Sequence, residues 1–444
     1  MSYSPSLVYF VERLSGYSTN IFKLMASGSH DAAPNSITRI TLPANALLNT
    51  RSFKLHFRAS CVDAPSTGGR LPADLSTLIE RVEVSAGGVQ LSQGTNFYNT
   101  LVNAKAAIQG SRCDSVTGHS ELVRSNKFDG STVIATATAG ADEIYATGTP
   151  HVIDKWEGFL GTCEPKILDA AILPDLVVSI YWADNSVLAS CKQADTHANF
   201  IVAPDAGAAA AYEIKDIHAS IETIGLADSV YDNMVSSMIA SKGFVEIPFK
   251  QYFSFSNTHT GASRFTVATQ SLDRIWTAWR ADGYNTLGAP SPVPGYSTAA
   301  GTDSNTTDIT DLLSAYGGMH GTGAQEKYLT KFQKFSEPGA DGALKYQFQL
   351  NGAYYPQYPA SMEDMYQITK NSLPGQMKYG LTKEQLRDSY FVQCVRLNMP
   401  DSEYSRLVSG LDTRSCSLNG YVNTTGQLTA DSNLMIFAEC TSCL

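Results

Sequence analysis

The stretch YQFQLNGAYYP, Tyr346 to Pro356, decides how the chain is read. Leu344, Tyr346, Phe348 and Leu350 alternate with polar residues, the period of a half-buried β-strand. Asn351-Gly352 then supplies the two residues that a tight hairpin turn requires, and aromatics with a proline resume the chain beyond it. An ordinary hairpin tip and one copy of a repeated device make different predictions: a repeated device needs a partner elsewhere in the sequence.

The partner lies in the first half. LIERVEVSAGGVQL (Leu78–Leu91) is a strand that stops at Gly87-Gly88 and is followed by NFYNTLVNA, much as LKYQFQLNGAYYP stops at Asn351-Gly352 and is followed by EDMYQITKNSL. Two more pairs keep the order. ITRITLPANALLNTRSFKLHFRA resembles GFVEIPFKQYFSFSNTHTGASRFTVAT in pattern, and WEGFLGT before LPDLVVSIYWADNS matches LVSGLDT before SNLMIFAEC. The separations are about 264 residues at the turn pair, 207 at the ITRIT pair and 256 at the last, and the rise from 207 to 264 places about 57 extra residues in the second half.

Elsewhere the same vocabulary recurs: β-branched and aromatic segments punctuated by Gly, Asn, Pro and Ser, the pattern of an all-β sandwich. Two consecutive sandwiches of evenly spaced strands predict two tandem eight-stranded jelly rolls with short helices. The expected division is an N-terminal amphipathic arm over 1–36, a first roll over 37–225, a linker helix over 226–243 and a second roll over 244–444. Leu7, Phe10, Val11 and Leu14 form the apolar stripe of the arm after Ser4-Pro5. Val230, Met234 and Met238 line the linker helix, which Gly243 ends. A third helix follows Thr382, capped by Gln385, with Leu386, Tyr390, Cys394 and Leu397 inward. The second roll carries a long loop insertion, about 287–325, rich in Pro, Gly, Ser and Thr.

Composition narrows the function. At 444 residues the chain is long enough for two or three domains, and 43% apolar against 17% charged residues leaves a lightly charged surface. A net charge of −10 without any Lys/Arg run argues against direct nucleic-acid binding. The first residues lack a basic leader and carry Glu12 in their apolar stretch, and LVVSIYWA is too short to span a bilayer, so synthesis as a soluble cytoplasmic chain is expected.

No catalytic constellation emerges, and no cofactor or metal is expected. His30, His56, His119, His151, His197, His218, His259 and His320 are dispersed, without the close spacing of a metal-binding jelly roll. There is no nucleophile elbow, phosphate loop or dinucleotide fingerprint; GGMHGTG lacks a lysine partner, and GHSE sets His119 beside Ser120 only in sequence. Cys440 and Cys443 have metal or redox spacing, yet most of the eight cysteines read as reduced core residues. Glu363-Asp364 could serve glycoside hydrolysis, but negative charge also suits the first turn of a helix after YPAS. Trp156, Trp182, Trp276 and Trp279 could stack sugars, but each lies in an apolar segment that favours the core. Asn305 and Asn423 fit a glycosylation sequon that matters only on a secretory route.

The tandem sandwiches, amphipathic arm, mid-chain helix and large second-half insertion resemble the double jelly-roll major capsid proteins of icosahedral double-stranded DNA viruses. LIERVEVSAGGVQL looks like the strand and Gly-Gly turn of that family's first roll, YQFQLNGAYYPQYP like the second-roll turn, and LVSGLDTRSCSLNGYV like the segment before its last strands. Length and compact loops are most similar to virophages and polinton-like viruses. The resemblance implies a homotrimer of pseudo-hexagonal outline that packs against neighbouring capsomers in the virion. It also implies an insertion that forms an outward tower, and an arm lying against minor capsid or penton proteins or an inner membrane. The competing readings are a two-domain carbohydrate-binding or glycan-hydrolysing protein, and a viral spike or penton, which the near-equal halves disfavour.

Overall fold

The computed structural model describes residues 17–44, 46–62, 68–70, 72, 74–92, 95–108, 149–164, 166–170, 173, 175–193, 200–202, 211–226, 236–237, 240, 247–287, 291–292, 307–308, 328–339, 343–373, 381–398, 410–414, 418–428 and 432–443. Sixteen of the strands among the described residues fall into two sets of eight. The first set is β1 (Tyr17–Met25), β2 (Ile37–Thr41), β3 (Leu47–Val62), β4 (Ile79–Ala86), β5 (Val89–Ser92), β6 (Thr149–Ile153), β7 (Val177–Trp182) and β8 (Ala211–Leu226). The second is β9 (Pro248–Thr258), β10 (Ala262–Val267), β11 (Leu272–Arg280), β12 (Lys345–Leu350), β13 (Ala353–Ala360), β14 (Val392–Arg396), β15 (Leu418–Thr425) and β16 (Asn433–Cys443). A helix joins the fifth and sixth strands of each set: α1 (Tyr98–Ile108) in the first, α2 (Met362–Ser372) and α3 (Lys383–Ser389) in the second.

The two sets share one topology. In the first, the sheets run β1-β8-β3-β6 and β2-β7-β4-β5; in the second, β9-β16-β11-β14 and β10-β15-β12-β13. Taken by position within the set, both read 1-8-3-6 and 2-7-4-5, with antiparallel pairing throughout. First and last strands therefore lie side by side in each roll, the wrapping that defines a jelly roll.

Alternation explains the two separate cores. Val82, Val84 and Ala86 of β4 meet Val178, Ile180 and Trp182 of β7 and Phe53, Leu55 and Phe57 of β3 in the first. Tyr346, Phe348 and Leu350 of β12 meet Phe265, Ile275, Trp279 and Ile436 in the second. A third apolar cluster belongs to both rolls: Leu101, Ala104, Ala107 and Ile108 of α1 lie against Tyr252, Trp276, Cys394, Met435 and Phe437. α1 thus covers the outer face of the second roll's sheet β9-β16-β11-β14. This is why β11, LDRIWTAWR, is buried at every position and shows no alternation in its sequence.

Both hairpins that opened the sequence argument turn on left-handed residues. Gly87 and Gly88 have φ of 54° and 80°, Asn351 and Gly352 of 48° and 87°, as a two-residue turn with both central residues at positive φ demands. A β-carbon at Gly88 or Gly352 would touch nothing within 4 Å, so glycine is needed there for its backbone, not for space.

Several expectations change. Residues 17–25, placed in the arm, form β1, paired along its length with β8 from Tyr17↔Leu226 to Met25↔His218. Hydrogen bonding to a long last strand, rather than an apolar stripe, decides their state. Leu7, Phe10, Val11 and Leu14 lie outside the described residues. Leu226 closes β8, and of the expected linker helix only residues 236, 237 and 240 are otherwise described, all helical. The third helix stops at Ser389, with Tyr390 at its C-cap, and Cys394 belongs to β14. β-branched valines on both sides of Cys394 favour the strand.

The repeat holds at the turns but slips elsewhere. ITRIT and SFKLHFRA are the second and third strands of the first roll, whereas PFKQYFSFSNT and SRFTV are the first and second of the second. LVVSIYW is a seventh strand and NLMIFAEC an eighth. The third strands begin at 47 and 272, 225 residues apart, and the fourth at 79 and 345, 266 apart. The excess lies between β11 and β12, where the insertion was expected. Within it, Thr307–Asp308 pairs with Phe200–Val202 of the first roll.

Candidate functional site

The two equivalent sheets differ in what lies on their outer faces, and that contrast locates the candidate interaction surface. Antiparallel partners share a face, so the outer side chains are read as rows across each sheet. On the second roll one row is Phe437, Trp276 and Cys394, and the next is Met435, Ala278 and Val392, all beneath or beside α1. On the first roll the corresponding rows are Met25, His218, His56 and Val152, then Lys23, Ser220 and Lys54. No described element covers them.

The covered face is held by polar bonds as well as by apolar contact. Lys105 of α1 reaches across the junction to the Tyr252 hydroxyl and to Glu157 Oε2, each at 2.7 Å. Its ammonium also sits 4.6 Å from the Tyr252 ring centre. Burial, with the Glu157 and Glu439 charges, pushes the Tyr252 hydroxyl well above its ordinary pKa, so it stays a donor to Glu157 at 2.9 Å. Beneath, Arg274 pairs with Glu439 at 2.8 Å and the Trp276 indole N–H donates to the same carboxylate at 2.9 Å. Burial pushes the Glu439 carboxyl up, but Lys105, Arg274 and the indole outweigh it and hold it below the usual range. Arg280, buried at the end of β11, lies 4.1 Å from the Phe332 ring centre and donates to Thr100 of α1 at 3.1 Å.

This face holds, among the described residues, a groove of about 370 Å³ bordered by Lys23, His30, His56, Arg58, Asp216 and His218. His56 and His218 stack at 4.9 Å with rings 2° from parallel. A bulge in β8 between Lys215 and His218, with Asp216 at φ 54°, sets this arrangement. His56 bonds the Ser220 hydroxyl at 2.9 Å, and His218 donates from Nδ1 to the Asp216 carbonyl at 3.0 Å. Burial, then the charges of His218, Lys54 and Lys23, hold the His56 pKa below its ordinary value. Beside the groove Ile21, Phe22 and Met25 are exposed, Ile21 to 72%. Exposed apolar side chains on an edge strand mark a surface made for contact.

The candidate catalytic and sugar-binding residues are otherwise engaged. Glu363 pairs with Lys383 at 2.7 Å, and Asp364 caps α2 in a reciprocal box with Ser361. Trp156, Trp182, Trp276 and Trp279 are all buried, so none offers a face to a sugar. Cys440 is buried and Cys443 exposed on one strand, and an odd spacing of three turns their side chains to opposite faces. His119 and Asn305 lie outside the described residues. The histidine groove was invisible to sequence reading, because its members come together only through the register of β1, β8 and β3.

No protein-family model matches the chain and no curated protein matches it. Solved structures do. The PBCV-1 protein VP54, fitted into a cryo-EM reconstruction of the virophage Sputnik, has a TM-score of 0.54 at 12% identity, covering 97% of this chain and 95% of its own. The Faustovirus major capsid protein gives 0.53 at 9% identity, over 96% and 90% of the two chains. A chain of the PBCV-1 virus capsid gives 0.50 at 11%, over 97% and 95%. This is the double jelly-roll fold of viral major capsid proteins. The double jelly roll accounts for the repeated strand order, the two cores and the placement of α1 between them.

Proposed function

We propose that the chain is a structural protein, the major capsid protein of an icosahedral double-stranded DNA virus, and that three copies form a capsomer of pseudo-hexagonal outline. The carrying observation is the unequal treatment of two equivalent sheets. Within one chain, the first roll covers the outer face of the second. If the same head-to-tail contact recurs between chains, each second roll covers the first roll of the next copy. A heterologous contact that closes makes a ring, and three chains of two rolls give six positions around it.

Neighbouring capsomers, and minor capsid or penton proteins, are the remaining partners on this reading, and its place is the virion. The stripe of Leu7, Phe10, Val11 and Leu14 would contact minor proteins or an inner membrane. The insertion between β11 and β12 would stand at the same end as Phe200–Val202, to which Thr307–Asp308 is paired. Size-exclusion chromatography with light scattering, followed by electron microscopy, tests the proposal. A trimer with a hexagonal outline is expected; a monomer at every concentration and salt would refute it.

A further inference from the structure

The groove on the first roll's outer face carries more lysine and arginine than acid. Lys23, Arg58, His30, His56 and His218 border it, Lys54 stands one row along opposite Ser220, and Asp216, paired with Arg58 at 3.4 Å, is an acid on its border; Glu222 stands further along β8. A cover for this face therefore gains from carrying exposed carboxylates.

The chain itself presents such a cover. On the second roll, the element lying on the sheet comes from the connection between the fifth and sixth strands of the first roll, namely α1. The equivalent connection of the second roll runs from β13 to β14 and contains α2 and α3. Its inward face is occupied: Met362, Met365, Thr369 and Ser372 are buried against its own roll. Its outward residues include Glu363 and Glu384, both exposed and both in the first turn of a helix. Helix N-termini favour those charges there; Glu363 also pairs with Lys383 at 2.7 Å.

We propose that the outer face of β1-β8-β3-β6 is the seat for the β13-to-β14 connection of a second copy of this chain, with Glu363 and Glu384 facing the groove of Lys23, Arg58, His56 and His218. The proposal rests on the capsomer reading and specifies which surfaces meet in it. It assigns the exposed Ile21 and Met25 to the same contact, as its apolar margin.

Charge reversal tests it. Lys23→Glu with Arg58→Glu changes the seat; Glu363→Lys with Glu384→Lys changes the cover. All four side chains lie outside the cores, so each double variant should keep the wild-type circular dichroism and thermal unfolding. Sedimentation velocity should show each double variant associating at least about tenfold more weakly than wild type, and the chain carrying all four reversals recovering most of the loss. Wild-type association in both double variants would overturn this docking while leaving the capsomer standing. Weakened association without recovery in the fourfold variant would also overturn it. A wild-type chain that never associates would overturn both.

Discussion

The contact of Lys105 with Tyr252 ties the two rolls together, and a double-mutant cycle measures how strongly. Lys105→Met keeps an aliphatic stem but removes the ammonium, which lies 5.5 Å from the Trp276 ring centre. Glu157, with a side chain about a quarter exposed, then keeps its Tyr252 bond and loses its cation. Breaking a fully buried pair costs about 3–5 kcal/mol. Partial exposure of Glu157 lowers that to about 2 kcal/mol. Tyr252→Phe removes one charge-assisted bond at 2.7 Å and one at 2.9 Å, at a cost of about 1.5–3 kcal/mol.

The single costs are not diagnostic, because many buried changes cost as much; the coupling is. Residues in one hydrogen-bonded network couple by about 0.5–3 kcal/mol, and distant ones add to within about 0.5. Urea unfolding should give Lys105→Met and Tyr252→Phe a coupling of about 1–2 kcal/mol. Lys105→Met with Tyr346→Phe should be additive, since the Tyr346 hydroxyl bonds Glu337 within the second roll at 2.8 Å. Additivity in both pairs would mean that the rolls are not seated through α1 as described.

Leu101→Ala empties a fully buried position in the shared cluster and should cost about 3 kcal/mol in the same urea assay, more than a surface change on α1. Gly352→Ala meets no atom within 4 Å, yet its φ of 87° should cost about 1 kcal/mol, and Gly88→Ala about the same. His259 is buried, with its ring nitrogens bonded to the Ser263 and Thr424 hydroxyls, and burial lowers its pKa from 6.5 to about 4. The folded protein therefore binds that proton less readily than the unfolded chain, so stability is full above about pH 6.5 and falls as pH drops toward 4. The loss is about 2 kcal/mol after solvent screening, and His259→Gln should flatten thermal stability across that window.

Strand content and the two turns were legible because each has a local cause. Alternation gave Tyr346, Phe348 and Leu350 one face, and the positive φ at Gly88 and Gly352 is the conformation glycine adopts most readily. Strand identity was not legible. PFKQYFSFSNT and ITRIT look alike because any half-buried strand looks alike, and only pairing partners separate a first strand from a second. β1 was missed for the same reason: YSTNIFKLM has exposed Ile21, Phe22 and Met25 on an edge, so its sequence carries no clean inward pattern. LDRIWTAWR carries the signal of a strand covered on both faces. That absence of alternation was the one local trace of how the two rolls meet.

On the proposed docking, the two equivalent faces differ in a way that follows from when each is covered. The face under α1 is covered by its own chain as soon as the rolls fold, so it can be built from Trp276, Met435 and Phe437, with Arg274 and Glu439 neutralising one another in the interior. A face awaiting another molecule must first exist in water. There Trp or Phe rows would promote indiscriminate association. Histidine, lysine and arginine keep such a face hydrated and still define, by charge, which surface fits it. On the proposed docking, the change from Ser254, Phe437, Trp276 and Cys394 in one sheet to Met25, His218, His56 and Val152 in the other is what one contact made within the chain and another made between chains would leave.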